Sequence, residues 1–414
     1  MGYQQGLSGL QGASNDLDVI GNNIANANTT GFKAATAQFT DMYANSVSSA
    51  VANGIGIGTQ LAAVAQVFQQ GGFTTTQNPL NMAINGNGFF QVTHNGVTTY
   101  TRDGTFNADK NGNIVNAAGA QLMGYAVNAN GVINTGALVP LTAPQGNLAP
   151  KATSSITGQF NLSTSDTSQS STAAFNPNDP TTYTLHQSVP AFDSLGNSEN
   201  VDLYFVKSTT TGSWEVWAGA NGAAPQDMGT AKFDSSGKLI GTVGTNGNPT
   251  AVTNTFALAV NNTNGATAQT ININLSGSTQ FGASKSGVAN LNADGYPTGT
   301  LNSYSVGADG TIQGIYSNNQ TLTLGQVVVV NFNNPQGLTS IGGNQYIQTS
   351  ASGVPQVGVP GSTNHGTLKG STTEASTTDL TGELVNLITA QRDYQANAQT
   401  IKTQQAVDQT LINL

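Results

Sequence analysis

The residues of this chain that could catalyse a reaction or bind a ligand are its carboxylates, its histidines and some glycine-containing turns. One of these turns has a sequence similar to a calcium-binding loop. Residues 107–112 follow the spacing of the first half of such a loop, with Asp109 and Asn111 at ligand positions. Position one is Asn107, however, and position twelve is Ala118, where calcium needs a bidentate glutamate. The pattern therefore favours an ordinary β-turn.

A second pattern has the spacing of an acyl-transfer site. Ser235 and Lys238 form an S-x-x-K pair, and residues 285–287 read Lys-Ser-Gly, as in penicillin-binding enzymes. That chemistry needs the serine at the start of a helix, whereas Gly237 predicts a hairpin turn at this position. We interpret the pair as a chance match.

Acidic and histidine side chains do not form the pairs that catalysis or metal binding needs. Glu199, Asp202 and Glu215 could supply the two carboxylates of a glycosidase, but nothing indicates a sugar cleft, and solvated strand positions explain them more simply. The histidines lie far apart without ligand-spaced partners, at His94, His186 and His365. We therefore expect no enzyme, no cofactor and no metal site.

The composition excludes several further classes of protein. Charged residues make up 7% of the 414 residues and the net charge is −9, against about 25% charged residues in a typical soluble domain. Such a chain has no basic surface for nucleic acid, and its 37% of hydrophobic residues argues against disorder throughout. The 50 glycines predict turn-rich β structure.

Membrane insertion and thiol chemistry are not expected either. No run of apolar residues exceeds five, whereas a membrane span needs about eighteen. The first basic residue is Lys33, so the sequence predicts no cleavable signal peptide. The chain has no cysteine, which removes disulfides and cysteine-ligated metals.

Both ends of the chain are free of proline and are predicted to be helical. All 13 prolines lie between Pro79 and Pro360. From Asp379 to Leu414 the sequence predicts a helix about 50 Å long, with Ser376 and Asp379 as its start signal. Apolar or amide side chains recur along it at three- and four-residue spacing, at Leu384, Leu387, Gln391, Tyr394, Ala398, Ile401 and Gln405.

A matching stripe follows the N-terminal segment. It consists of Leu7, Leu10, Ser14, Leu17, Gly21 and Ile24, widened by Ala13 and Ile20. Glycines at positions 2, 6, 9 and 12 weaken this helix by about 1 kcal/mol each, so we expect it to need neighbours. The two stripes predict N- and C-terminal helices that pair as a coiled coil, although the pattern alone leaves open ordinary packing within one domain.

The middle of the chain is predicted to be antiparallel β structure. Nine Asn-Gly and three Asp-Gly pairs indicate hairpins, and residues 327–330 form a run of four valines typical of a buried strand. The segments 142–155 and 281–295 read as linkers that bracket an inserted domain. We therefore expect mainly β structure with terminal helices, and two antiparallel β domains of which the outer one is inserted into the inner one.

This interpretation divides the chain into three parts. Residues 1–71 and 370–414 form the terminal helical core with its connecting segment. Residues 72–150 and 290–369 form the inner β domain, and residues 151–289 form the outer, inserted β domain.

Four motifs occur in order and span both ends of the chain. They are LDVIGNNIANANTTGFKA at 17–34, LNMAINGNGFFQV at 80–92, YTRDGTFNADKNGNIVNAAGAQLMGY at 100–125 and DLTGELVNLITAQRDYQANAQTIKTQQ at 379–405. Together they resemble the rod and hook family of bacterial flagellar axial proteins. Rod members are usually shorter and lack an outer insertion, so the length of this chain is similar to that of the hook members.

The resemblance implies a structural subunit of the flagellar hook. Such a subunit polymerises into a curved, flexible tube that transmits motor torque as a universal joint and encloses the export channel. The implied partners are further copies of the chain, the distal rod protein, the hook cap, the hook–filament junction proteins and the flagellar export apparatus. Nucleic acid and membrane insertion are not expected. A distal rod subunit is one alternative, and a secreted β-rich adhesin or enzyme is another, which a deep pocket with paired carboxylates or a metal would favour.

We predict that the terminal stripes form the assembly interface. Phe32 and Phe39 are expected to anchor the segment that leaves the first helix. The predicted interface residues are Leu7, Leu10, Leu17, Ile20, Ile24, Phe32, Phe39, Leu384, Leu387, Tyr394, Ala398 and Ile401. Few charges would then have to lose water in the tube wall.

Overall fold

The computed structural model describes residues 2–42, 56–128, 131–169, 175–244, 253–283 and 285–412. The chain divides into two compact units. The first unit comprises Met1–Gln145, Asn302–Ile315 and Thr321–Leu414, and the second comprises Gly146–Leu301 and Tyr316–Gln320. The predicted fold class, mainly β with a helix at each end, is confirmed.

The described elements are strands of two to ten residues in the middle of the chain and one helix at each end. In chain order they are α1 (Gly2–Ala25), β1 (Ala35–Met42), β2 (Gly58–Gln66), β3 (Phe73–Thr75), β4 (Met82–Asn85), β5 (Phe89–His94), β6 (Val97–Thr101), β7 (Asn107–Ala108), β8 (Ile114–Val115), β9 (Gln121–Val127), β10 (Ile133–Pro140), β11 (Ser155–Asn161), β12 (Leu185–Phe192), β13 (Ser198–Lys207), β14 (Ser213–Ala220), β15 (Gln226–Phe233), β16 (Leu239–Val243), β17 (Thr255–Val260), β18 (Gln269–Asn274), β19 (Gly287–Ala293), β20 (Leu301–Val306), β21 (Thr311–Tyr316), β22 (Thr321–Val327), β23 (Val329–Asn331), a 3-10 turn (Pro335–Gly337), β24 (Thr339–Gly342), β25 (Gln345–Ile347), β26 (Gln356–Gly358), β27 (Thr367–Gly370), β28 (Thr372–Glu374) and α2 (Leu380–Ile412).

The C-terminal helix α2 begins at Leu380, directly after its cap. Asp379 Oδ1 accepts a hydrogen bond from the Thr381 N–H at 3.1 Å, which satisfies one of the free amides of the first turn. Ser376, predicted as part of the start signal, instead accepts from the Thr378 N–H at 3.2 Å and lies outside the helix. No helix among the described residues has the length and apolar character needed to cross a membrane.

The first unit is built on a large sheet whose main path runs β20-β21-β22-β9-β5-β6-β25-β24. The predicted four-valine strand is wrong in detail, because β22 ends at Val327 and β23 begins at Val329. β22 pairs with β9, whereas β23 pairs with β5 and β26. All four valines are nonetheless fully buried, since this run passes through the core of the unit.

Aspartate side chains close several of the turns between strands by accepting hydrogen bonds from backbone N–H groups. The Asp109 carboxylate accepts from the N–H groups of Asn111 and Asn113, both at 2.8 Å. Asp234 binds the N–H groups of Ser236 and Lys238 in the same way, both at 2.9 Å. The calcium-like and S-x-x-K segments are therefore turns closed by their own aspartates.

The second unit is a sandwich of two sheets around an apolar core. One sheet has the order β12-β13-β14-β15-β16 and the other β17-β18-β11-β19. The pairing of β11 with β18 is parallel, an exception to the predicted antiparallel arrangement. The predicted linker at 281–295 is wrong in part, because β19 lies within it and pairs with β11.

The three carboxylates weighed in the sequence do not form a site. Asp202 on β13 pairs with His186 on β12 at 3.1 Å, where the side chains are 26% and 38% exposed. Glu199, expected to be solvated, is 2% exposed, and its pKa is raised by burial. It lies on β13 at the end next to the turn at Asp193, where Gln269 Nε2 donates to it at 3.3 Å.

Candidate assembly surface

The two terminal helices of the first unit lie against each other through glycines of α1. A Cβ atom added at Gly6 would lie 2.9 Å from Ile401 Cγ1, and one added at Gly9 would lie 2.8 Å from Asn397 Cγ. Real Cβ atoms do not make contacts this short. The two helices can therefore lie this close together only because α1 has glycine at these positions. The glycines that weaken the isolated helix thus allow its packing against α2.

The hairpin of β1 and β2 packs on another side of α1. A Cβ at Gly12 would lie 3.3 Å from Thr59 Cγ2 and 3.6 Å from Phe39 Cε1. Gln5 Nε2 donates to the Gly56 carbonyl at 2.6 Å. Phe39, a predicted anchor, therefore contacts α1, while 39% of its surface remains exposed.

Asn23 connects α1, β1 and α2 at one buried point. Its Nδ2 donates to the Ala35 carbonyl at 2.7 Å and to Glu383 Oε1 at 2.9 Å, and its Oδ1 accepts from the Ala35 N–H at 2.9 Å. The side chain is only 1% exposed. A buried amide group that loses its hydrogen-bond partners destabilises the fold. Asn23 therefore fixes the positions of α1, β1 and α2 relative to one another.

A buried ion cluster joins the segment after α1 to the segment before α2. Glu374 accepts from Lys33 Nζ at 2.7 Å, from Arg102 Nη1 at 3.2 Å and from the Gly71 N–H at 2.8 Å. The Lys33 and Glu374 side chains are fully buried. Burial lowers the pKa of both Lys33 and Arg102, and the charge of Glu374 opposes this shift.

Backbone contacts reinforce the same junction. The Gly31 N–H donates to the Glu374 carbonyl at 2.8 Å, and the Thr377 N–H donates to the Phe32 carbonyl at 3.1 Å. Gly31 has φ +69°, and a Cβ there would lie 2.6 Å from the Asp103 nitrogen. Only glycine fits this turn, which places Phe32 beside the C-terminal segment.

The groove between α1, α2 and the hairpin is acidic and partly open. It contains a cavity of about 320 Å³ lined by Gly9, Ala13 and Phe39 among others, and a second of about 230 Å³. Asp16 lines both, and its pKa is raised by burial and by the charges of Glu383 and Asp393.

The predicted interface residues differ widely in exposure within a single chain. Ile20 is 4% exposed. Seven others are partly buried, namely Leu10, Leu17, Ile24, Phe32, Leu387, Ala398 and Ile401. Four are exposed, namely Leu7 at 52%, Leu384 at 45%, Phe39 at 39% and Tyr394 at 38%.

Sequence reasoning missed two groups of residues. The first is the polar set that holds the ends together: Asn23, Lys33, Arg102, Glu374 and Glu383. Charged residues are scarce in this chain, so a charged residue inside or beside one of the four motifs was the signal that could have pointed to these positions. The second is a set of exposed apolar residues on α2, with Leu380 at 47%, Val385 at 59% and Ile388 at 51%.

Comparison with known families covers most of the chain. Residues 4–33 match the family "Flagella basal body rod protein", and residues 83–162 match "Flagellar hook protein FlgE/F/G D1 domain". Residues 161–296 match "Flagellar basal body protein FlaE D2 domain". Residues 369–414 match "Flagellar basal body rod FlgEFG protein C-terminal".

Individual relatives agree with these matches. The chain is 41% identical to the flagellar hook protein FlgE of Salmonella typhimurium over 422 residues, which cover 100% of both chains. It is 33% identical to that of Borreliella burgdorferi, covering 99% of this chain and 98% of the relative. A solved Helicobacter pylori flagellar hook protein has the same fold, with a TM-score of 0.52 at 14% identity over 72% of this chain and 99% of that one. The chain therefore belongs to the flagellar hook protein family.

Proposed function

We propose that this chain is the structural subunit of a flagellar hook, polymerising through its terminal helices into a curved, flexible tube. The observation that carries the proposal is the exposure of apolar side chains on α2. Ile388 and Val385 are more than half exposed, although the helix already packs on α1. Apolar patches of this kind mark interaction surfaces, and further copies of the chain would cover them.

The geometry supports a stiff inner layer in such a tube. Gly6 and Gly9 let the two helices of one chain approach closely, and the Glu374 cluster holds both to the body of the first unit. Leu7, Leu384 and Tyr394 remain available for neighbouring copies. The predicted interface residues thus divide between contacts within the chain and contacts between chains.

We propose that the predicted three-part division of the chain supplies the flexibility that a universal joint needs. In this proposal residues 1–71 and 370–414 line the channel, residues 72–150 and 290–369 surround them, and residues 151–289 lie outermost. Relative motion is the usual expectation for domains of one chain unless the interface between them is large and hydrophobic. Bending would then displace the outer domains while the helices keep their contacts.

The further partners follow from the proposed place of the subunit. They are the distal rod protein, the hook cap, the hook–filament junction proteins and the flagellar export apparatus. The proposal assigns the chain a structural role and no reaction. The distal rod alternative is not favoured, because the relatives that match over the whole chain are hook proteins.

The test places charges on the exposed face of α2. The double variant Val385→Asp/Ile388→Asp should melt as the wild-type monomer does, because both side chains are exposed there. It should form no tubes in electron microscopy, since burying two carboxylates between copies costs several kcal/mol each. The control Val385→Leu/Ile388→Val keeps the apolar surface and should assemble. Normal tubes from the charged variant would contradict the proposal.

A further inference from the structure

The side of α2 that faces away from α1 carries an arginine among exposed apolar residues. Ala390 and Asn397 lie on the side of α2 that contacts α1. At about 100° per residue, Val385, Ile388 and Arg392 lie on the opposite side. Val385 is 59% exposed, Ile388 is 51% exposed, and Arg392 is exposed as well. We call these last three residues the outer stripe of α2.

Arg392 has no partner within the described part of its own chain. Its guanidinium makes no hydrogen bond and no ion pair there. Arg392 and Lys402 are the two basic residues of α1, α2, β1 and β2, and both are exposed. An arginine beside apolar side chains is typical of protein interfaces, where its planar fork of donors binds a carboxylate of the partner.

The groove between α1, α2 and the hairpin of β1 and β2 presents such carboxylates. Asp16 and Asp393 line its cavity of about 320 Å³, and neither carboxylate has a hydrogen bond or an ion pair among the described residues. Most of the other lining residues are small or apolar, namely Gly9, Gly12, Ala13, Phe39, Ala390 and Ala396. At roughly 30 Å³ per water molecule, a cavity of this size has room for a long side chain. A guanidinium can bind the two carboxylates there while its aliphatic stem covers the small residues.

We propose that the outer stripe of α2 packs into this groove of a second copy, where Arg392 binds Asp16 and Asp393. This pairing, which rests on the proposed function, gives the exposed apolar face of α2 its partner. The stripe and the groove are different surfaces, so each contact leaves one of each free for a further copy. Such head-to-tail contacts extend into rings or helical polymers, whereas a surface that binds itself closes into a two-fold dimer.

Charge reversal at Arg392 tests this pairing on the full-length chain. Arg392→Glu should melt as the wild-type monomer does, because the side chain is exposed. The protein concentration needed for tubes in electron microscopy should rise at least about tenfold, since the new carboxylate would face Asp16 and Asp393. The matched control is Lys110→Glu, which makes the same charge change at an exposed residue outside both helices. It should leave this concentration unchanged.

A compensating change in the groove identifies the partner of Arg392. Arg392→Glu/Asp393→Lys should form tubes close to the wild-type concentration, because the introduced glutamate of one copy then meets the introduced lysine of the next. Arg392→Glu/Asp408→Lys has the same net charge and leaves the groove unchanged, so it should assemble as poorly as Arg392→Glu. Rescue by both lysine substitutions, or by neither, would overturn the pairing.

Failure of this pairing can be told apart from failure of the proposed function. If Arg392→Glu forms tubes at the wild-type concentration while Val385→Asp/Ile388→Asp forms none, copies assemble through α2 but Arg392 does not bind the groove. Tubes from Val385→Asp/Ile388→Asp would contradict the proposed function itself.

Discussion

Glu374→Gln should strongly destabilise the first unit, because it leaves two buried cations without a counter-charge. The Glu374 side chain is fully buried and accepts hydrogen bonds from Lys33, Arg102 and the Gly71 N–H. Breaking a buried ion pair by removing one partner costs about 3–5 kcal/mol. A unit of this size loses about 2–4 °C in Tm for each kcal/mol, so we expect a decrease of about 10 °C.

Differential scanning calorimetry of the monomer measures this shift. The transition of the first unit should move, and that of the second unit should stay. Lys151→Gln is the matched control in the second unit, because it removes an ion pair to Asp294 whose lysine side chain is 50% exposed. Exposed pairs contribute about 1 kcal/mol or less, so its transition should hardly move.

A double variant examines the reason for the loss. Lys33→Met/Glu374→Gln removes one of the two cations along with the carboxylate, so it should be more stable than Glu374→Gln alone. A Glu374→Gln protein with an unchanged first-unit transition, or a double variant less stable than the single one, would refute the electrostatic reasoning.

Four further substitutions have expected outcomes of different sign. Gly21→Ala should protect the amides of α1 from hydrogen exchange by about 1 kcal/mol, since the added methyl group meets no neighbour within 4 Å. Gly9→Ala should lose that gain, because its methyl group would collide with Asn397. Equal protection in the two variants would count against the close packing of α1 and α2. Glu199→Gln should raise Tm at pH 7, because the raised pKa of Glu199 reflects a charge that is costly to bury, and the advantage should shrink as acid protonates the wild-type carboxyl. Asp193→Asn should lower Tm at pH 7, because four hydrogen bonds from Leu195, Asn197 and Asn264 hold the pKa of Asp193 at about 2. That loss should disappear between pH 4 and about 2, where the wild-type carboxyl also becomes neutral, and thermal melts across this range check both signs.

Periodicity and turn chemistry predicted the two helices and the β character of the middle, but not every strand. The absence of proline and the three–four spacing located both helices, and the Asn-Gly and Asp-Gly pairs indicated the β structure of the middle. Strand β19 was missed because its glycine- and asparagine-rich sequence has weak β propensity, and its pairing with β11 decides its structure. The break between Val327 and Val329 was missed because a run of valines does not reveal which strand each residue pairs with.

The assembly surface was predictable only in part. Apolar spacing selects Leu7 and Ile20 equally, yet one is exposed and the other buried, because the partner that covers each position is set by tertiary structure. The cluster of Lys33, Arg102 and Glu374 brings together residues far apart in the sequence. No local sequence pattern predicts a contact between residues so far apart. The glycines of α1 predict only a less stable helix, and their role in close packing against α2 is visible only in the structure.

Hydrogen exchange tests most directly whether the terminal helices become rigid by packing against copies of the same chain. Mass spectrometry should compare residues 2–25 and 380–412 in dilute monomer and in assembled tubes. We expect fast exchange in the monomer, where α2 has Ala390 as its one buried residue among those described, and strong protection in the tubes. Equal protection of these segments in both states would contradict this account of assembly.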